Sequence, residues 1–340
     1  SYNDDTTTGN ATANANILYL IQGEFNYYNP DLELVQDESY GTYEKVSDDP
    51  LTVKYTVDDD MKWSDGTAVD AADMMLQWAA LSGALNTVEG DAVERDPETG
   101  APAESAGGQV FFDGQTPGMS LVSETPEISD DNKSITLVYD KPFADWEDAF
   151  DTGAPGHATA MKALNISDPQ EAKDAFLTAV EEKDNATLSK IANFWNTGYN
   201  YTSLPDDEML RLSSGAYEMT EFEENQFMTL GRMLDPSRFD LEFACLRRWG
   251  PFVDELARLE IPLEEYQVTT FRSVQALAQQ ARLARHIARR RVDIVHAYNF
   301  YGNVFAVPAA RLAGVPVVIA SIRDMGVYLD AAQRRVQRWA

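Results

Sequence analysis

Few residues of this chain have the type and spacing for chemistry, and those few lie toward its C-terminal end. His296 closes the run Val292-Asp-Ile-Val-His296, which reads as a short buried strand, and Tyr298 and Asn299 follow it directly. A second apolar run, Pro316-Val-Val-Ile-Ala-Ser321, leads into Ile322, Arg323 and Asp324. If the two runs are parallel strands, His296, Asn299 and Arg323 collect at their carboxyl ends, where sheets of this kind hold ligands. An imidazole placed there can donate a hydrogen bond to a bound group, although a lone histidine capping a strand serves packing more often than catalysis.

Other kinds of chemistry are excluded. Asp58-Asp-Asp60 suggests calcium, yet Lys62 and Trp63 stand where a calcium loop needs oxygen ligands. Cys245 is the only cysteine, which rules out an intrachain disulfide and a cysteine-based zinc site. There is no phosphate-binding glycine loop, no Gly-x-Ser-x-Gly and no histidine pair at metal spacing, so no metal or cofactor is expected.

The elements that position these residues fall into two kinds. In the first part, Thr52–Val57 alternates and predicts a strand with Val53, Tyr55 and Val57 on its buried face. Asp70 is placed to cap a helix carrying Ala71, Met74, Trp78 and Leu81 on its core side, with Asp73 at the positive helix end. Residues 86–118, rich in Gly, Pro, Glu and Ala, read as a long loop. Ser134–Tyr139 is a second alternating strand, and Asp168-Pro-Gln-Glu171 opens a helix borne by Ala172, Phe176 and Ala179. Leu188, Ile191 and Trp195 share helical spacing, which favours a core role for Trp195.

In the second part a regular alternation begins. A strand is expected at 241–246, with Cys245 as a small buried residue, then a helix at 252–259 and an extended stretch near 266–271. A long helix at 273–290 follows, with Val274, Leu277, Ala281 and Ala284 toward the core and a basic C-terminal turn. The strand at 292–297, a helix at 305–313 closed by Gly314, and the strand at 316–321 complete a βαβ rhythm.

Charge divides the chain at the same place. Residues 1–230 hold all nine lysines, two arginines and 45 acidic residues, a net charge of −34. Residues 231–340 hold sixteen arginines, no lysine and 11 acidic residues, a net of +5. One domain rarely carries so uneven a distribution, so two pieces are expected, 1–229 and 230–340. The first has no basic stripe to displace counterions, which argues against nucleic acid as a partner; its acidity favours cationic ligands or high solubility, and a solvated acidic surface accounts for it more readily than a specific cation site. No apolar run approaches the length of a membrane span. The small polar start, Ser1-Tyr-Asn-Asp-Asp, suits an N-terminus left by a removed export signal.

Leu51-Thr-Val-Lys-Tyr-Thr-Val57, Lys62-Trp-Ser-Asp-Gly-Thr67 and Asp70-Ala-Ala-Asp73, in that order, resemble the family 5 extracytoplasmic solute-binding proteins, the oligopeptide- and dipeptide-binding components of ABC importers. Tyr40-Gly-Thr-Tyr-Glu-Lys-Val46, Asn193-Phe-Trp-Asn-Thr-Gly-Tyr199 and Leu212-Ser-Ser-Gly-Ala-Tyr217 look like the actinobacterial branch. The resemblance implies an α+β fold, part of a periplasmic-binding-protein-like lobe, with a peptide ligand, an ABC permease as partner and a cell-surface, lipoprotein-like location. Phe25, Asn26, Trp195, Asn196 and Tyr199 are the ligand-binding candidates it suggests. It covers less than half of such a protein.

Val292-Asp-Ile-Val-His296 with Asn299, then Ala309-Ala-Arg-Leu-Ala-Gly-Val-Pro-Val-Val-Ile-Ala-Ser321 and Arg323-Asp324, resemble the N-terminal domain of GT-B glycosyltransferases related to family 4. This implies an α/β fold, part of a doubly wound, Rossmann-like parallel sheet, a cytoplasmic setting, and a nucleotide-sugar and an acceptor as partners. His296 would be the catalytic candidate, with Asn299 and Arg323 as acceptor-binding residues. Tyr298 stands where that family often has a second histidine. Both pieces are expected to be truncated. The leading expectation is therefore an oligopeptide-binding module, and the alternative is a glycosyltransferase fragment with an enzymatic role unsettled.

Overall fold

The computed structural model describes residues 1–223, 227–232, 242–248, 253, 263–268, 270–271 and 273–321, apart from 30 and 106–107. The chain divides into two compact units, Ser1–Met233 and Leu234–Ala340.

The first unit is built on a four-stranded antiparallel sheet. Chain order gives α1 (Thr12–Ile21), β1 (Asn26–Tyr28), β2 (Leu34–Gln36), β3 (Gly41–Asp48), β4 (Leu51–Val57), α2 (Ala71–Ser82), β5 (Glu127–Ile128) and β6 (Ser134–Val138). The sheet runs β3-β4-β6-β5, with Tyr43 opposite Tyr55 and Tyr55 opposite Ile135. Leu51, Val53, Tyr55 and Val57 are buried while the residues between them are half-buried, as strand alternation demands.

Helix α2 departs from the expected one-sided pattern: all twelve of its residues are buried. It packs between β6 and the helices α3 (Gly156–Leu164) and α4 (Pro169–Glu182), so its polar side chains need partners inside. Asp73 has them. Its carboxylate accepts from Trp63 Nε1 at 3.2 Å, Gly156 N at 2.7 Å and Asp70 N at 2.9 Å. Asp70 returns the favour to the helix by accepting from Ala72 N, completing a capping box. Buried Lys173 on α4 neutralises Asp70 at 2.7 Å and donates to Ala68 O. Trp63 is thus a framework residue.

Asp168 caps α4 through Glu171 N, and Asp184 caps α5 (Asn185–Thr197) through Ala186 N. The stretch 86–118 is a loop, but one that enters the core: Val110, Phe111 and Phe112 are buried in it. The N-terminal residues are also tied in. Tyr2 N donates to Tyr199 O, Asn3 Nδ2 to Trp195 O and Thr7 N to Asp113 O. An antiparallel pair, β7 (Tyr217–Glu223) and β8 (Phe227–Arg232), ends the unit.

In the second unit β9 (Phe243–Cys245) pairs in parallel with β10 (Leu263–Glu265). The first is shorter than expected, and the second precedes the stretch read as extended. The expected helix at 252–259 lies outside the described residues apart from 253. Cys245 is half-buried rather than enclosed, and burial raises its thiol pKa.

Helix α6 (Val274–Arg290), capped by Ser273 Oγ on Ala276 N, presents a different face from the one expected. Val274 and Leu277 are 83% and 64% exposed, whereas Ala276, Leu283 and Ile287 are buried. Apolar residues recur at helical spacing along two stripes of this helix, and packing against α7 (Asn299–Ala313) selects the second.

β11 (Ile294–Tyr298), α7 and β12 (Val317–Ser321) form a parallel βαβ unit, with Gly314 in the left-handed conformation ending the helix. Helix α7 begins six residues before its expected start. Neither strand is buried on both faces: Ile294, Val317 and Ile319 are 47%, 46% and 40% exposed. The helical layer packs on Val295 and Val318, leaving the face that carries His296 open. The described strands form two separate parallel pairs.

Candidate functional site

Five polar or acidic side chains of the first unit meet around a cavity of about 210 Å3: Asp5, Glu24, Asn26, Gln77 and Asp151, with Asp148 beside them. They arrive from four pieces of chain. Asp5 lies in the pinned N-terminal segment, and Glu24 to Asn26 form the step from α1 into β1. Gln77 comes from the buried helix α2, and Asp148 and Asp151 from the turn before α3.

Gln77 organises the acidic wall. Its Nε2 donates to Asp5 Oδ2 at 3.0 Å and to Asp151 Oδ1 at 2.7 Å, holding two carboxylates on one amide. Its Oε1 is buried without a hydrogen-bond partner. Gly153, at φ +55, lies against that amide, and a Cβ there would meet Gln77 Oε1. Asn26 is 8% exposed; its Nδ2 donates to Glu147 O at 2.5 Å, while its Oδ1 is also buried without a partner.

The electrostatics follow from crowding acids away from water. Burial, then the neighbouring Asp4, raises Asp5 to about 6 against the help of Gln77. Burial, then Asp4, Asp148 and Asp5, raises Glu24 to about 7. Burial, then Asp5 and Glu24, pushes Asp151 well above the ordinary carboxylate range. Near neutral pH these groups share fewer charges than their number allows, and a cation among them would change that.

The candidates read from the sequence divide here. Phe25 and Asn26 line the cavity. Phe25 is buried and edge-packed on Tyr40 and Tyr55, with ring centroids 5.3 and 5.2 Å away, so it forms the floor. Trp195, Asn196 and Tyr199 do not reach it. Trp195 is fully buried against Phe112. Asn196 accepts from Asp113 N at 2.9 Å and donates to Phe111 O at 2.8 Å, so it pins the entering loop. The Tyr199 hydroxyl meets Thr159 Oγ1 at 2.9 Å. Asn196 and Tyr199 spend their side-chain polar groups on the fold, whereas the Trp195 Nε1 is buried without a hydrogen-bond partner.

Asp5, Glu24, Gln77, Asp148 and Asp151 were missed. The one local signal was the run Asp145-Trp-Glu-Asp-Ala-Phe-Asp151, where acids alternate with aromatics ahead of a helix. A larger groove of about 560 Å3 lies between 202–204 and β7, but it is shallow and open.

In the second unit, His296 sits half-buried on the open face of β11, with Nδ1 3.0 Å from the Tyr298 hydroxyl and ring centroids 4.2 Å apart. Asn299 opens α7, and its side chain lies outside the described residues, as does Arg323 entirely. Among the described residues, no three His, Cys, Asp or Glu side chains are placed to hold a metal ion, and no helix is long and apolar enough to cross a membrane.

Comparison with known proteins finds a family match in the C-terminal part of the chain and relatives of a different kind besides. The family model of a glycosyl transferase 4-like domain matches residues 224–340. An uncharacterized lipoprotein of Mycobacterium leprae is 30% identical over 224 residues, which are 64% of this chain and 34% of the relative. One of Mycobacterium bovis is 39% identical over 83 residues, 24% of this chain and 15% of the relative. Among solved structures, a periplasmic EDTA-binding protein, EppA, is 21% identical, with a TM-score of 0.46, covering 68% of this chain and 33% of its own. The oligopeptide-binding protein AppA of Bacillus subtilis, solved with a nonapeptide, is 12% identical, with a TM-score of 0.38, covering 84% and 40%. The chain spans about one third of the length of the first of these relatives. The family match over residues 224–340 agrees with the resemblance of the C-terminal piece to a family 4-related glycosyltransferase domain; beyond it, the chain is similar to uncharacterized lipoproteins and to solved binding proteins.

Proposed function

We propose that residues 1–229 act as a wall of an extracytoplasmic solute-binding site, of the kind that presents oligopeptides to an ABC importer. The observation that carries this reading is the cavity beside Phe25 and Asn26, where a buried amide oxygen has no partner within the protein. An unsatisfied buried acceptor costs roughly 1–3 kcal/mol, a cost that a bound donor removes. The lipoprotein relatives agree with a cell-surface location. A cavity of about 210 Å3 lies below the few hundred Å3 of an ordinary ligand pocket, so this wall grips one group of a solute rather than a whole peptide.

Titrating the purified chain with a mixed tri- to pentapeptide library, followed by amide NMR shifts, tests the reading. Millimolar-range shifts confined to residues 24–26 and 148–151 are expected, with no micromolar binder. Shifts absent, or centred on residues 294–298, would overturn it.

The second reading, an acceptor-side glycosyltransferase domain spanning 230–340, is favoured by the family match and by the parallel βαβ unit that sets His296 on its open face. Sugar transfer requires groups that stabilise the departing nucleotide diphosphate, and His296 with Tyr298 supplies no such anion-holding set. Radiolabelled UDP- and GDP-sugars with lipid or sugar acceptors should give only background product. Turnover abolished by His296→Ala would promote this reading over the first.

A further inference from the structure

We propose that the cavity bounded by Asp5, Glu24, Asn26, Gln77 and Asp151 receives an organic cation, the ammonium or guanidinium group of a solute. This rests on the solute-binding reading above and names the chemistry of what is bound.

The lining supplies acceptors and lacks cations. Three carboxyls and Asp148 border the space, and no lysine or arginine does. Two of the carboxyls are held together by one amide nitrogen, with oxygens 3.0 and 2.7 Å from Gln77 Nε2, so the protein maintains their proximity against repulsion. Nine-tenths or more of both Asn26 and Gln77 is buried, and each keeps one amide oxygen without a donor. A group with several N–H donors and a positive charge matches the carboxyl oxygens that border the space. A hard metal ion would need six to eight oxygens at about 2.3–2.6 Å, and no described cluster offers a metal-holding set. The volume suits the end of a basic side chain or a terminal amine.

The cavity's titration should report its occupant. The charged groups around it are Asp4 and the Ser1 amino group on the N-terminal segment, and Asp148 and Asp151 on the turn before α3. Glu24 follows α1, and Asp73, with the neutral phenols of Tyr40 and Tyr55, stands behind. The acids here are raised chiefly by burial, so a bound cation lowers them and releases protons. Cation binding should therefore be strongest above pH 7 and fade as the acids reprotonate toward pH 5.

The test compares two blocked tripeptides of matched shape, N-acetyl-Ala-Lys-Ala amide and its norleucine analogue, by amide NMR on the full chain at pH 8 and pH 5. At pH 8 the lysine peptide should bind about tenfold more tightly, with shifts at residues 24–26 and 148–151, and the preference should fall to within about twofold at pH 5. Asp151→Asn keeps an acceptor for Gln77, and Glu24→Gln disturbs no recorded hydrogen bond; each should cut the pH 8 preference several-fold with the spectrum otherwise unchanged. Equal binding of both peptides would overturn the cation assignment while leaving solute binding intact. Binding of neither would overturn both. Displacement of the lysine peptide by millimolar Ca2+ would identify a metal site and sink the proposal.

Discussion

Glu24→Gln should make the first unit more stable, and only at neutral to alkaline pH. Glu24 titrates near 7 in the folded chain against an ordinary value of 4.5. A folded-state value raised above the unfolded one means that folding favours the protonated acid. The stability this group allows is fully present below pH 4.5 and is lost as pH rises through 7. At 1.36 kcal/mol per unit the full loss would be roughly 3 kcal/mol. Glu24 is only partly buried at the cavity wall, so solvent screening brings the figure to about 1–2 kcal/mol. A neutral glutamine escapes that loss. Urea unfolding of both proteins can be followed by tryptophan fluorescence, since Trp63, Trp78, Trp146 and Trp195 report on the first unit. At pH 8 the variant should gain about 1–2 kcal/mol, equivalent to some 3–6 °C in Tm. At pH 4.5 the two proteins should agree within about 0.5 kcal/mol. A gain of equal size at both pH values, or none at pH 8, would refute the electrostatic account of the cavity.

Other substitutions probe the framework. Asp70→Ala removes the α2 cap and strands buried Lys173, so it should cost about 3–5 kcal/mol in urea unfolding, while Asp70→Asn, which keeps the cap, should cost less. Phe176→Ala opens a void in the α4 packing and should cost about 3–5 kcal/mol. Hydrogen exchange should show its effect in residues 71–82 and leave protection in residues 274–290 unchanged. Ser273→Ala should cost about 1 kcal/mol of helix stability, read as faster exchange in the first turn of α6.

Much of the framework was legible because its causes are local. Asp70, Asp168 and Ser273 announce helix starts through side chains that reach amides two or three residues away. Val53, Tyr55 and Val57 announce a buried strand face through simple alternation. The cavity was not legible in the same way. Its acids come from positions 5, 24, 148 and 151, and only the tertiary fold brings them onto the amide of Gln77. Phe25 and Asn26 were found through resemblance, whereas Trp195, Asn196 and Tyr199, drawn from the same source, turned out to hold the entering loop 86–118 and the N-terminal segment. Helix α6 shows the limit of periodicity. Val274, Leu277 and Ala281 keep helical spacing as faithfully as Ala276, Leu283 and Ile287, and only the neighbour decides which stripe is buried.

The most direct measurement is a crystal structure of the chain grown with a lysine-containing peptide at pH 8. The account predicts density for an ammonium group within hydrogen-bonding distance of the Asp5, Glu24 or Asp151 carboxylates, with the Asn26 Oδ1 newly paired. An empty acidic cavity, with the peptide seated instead on the open face of β11 and β12 beside His296, would contradict it.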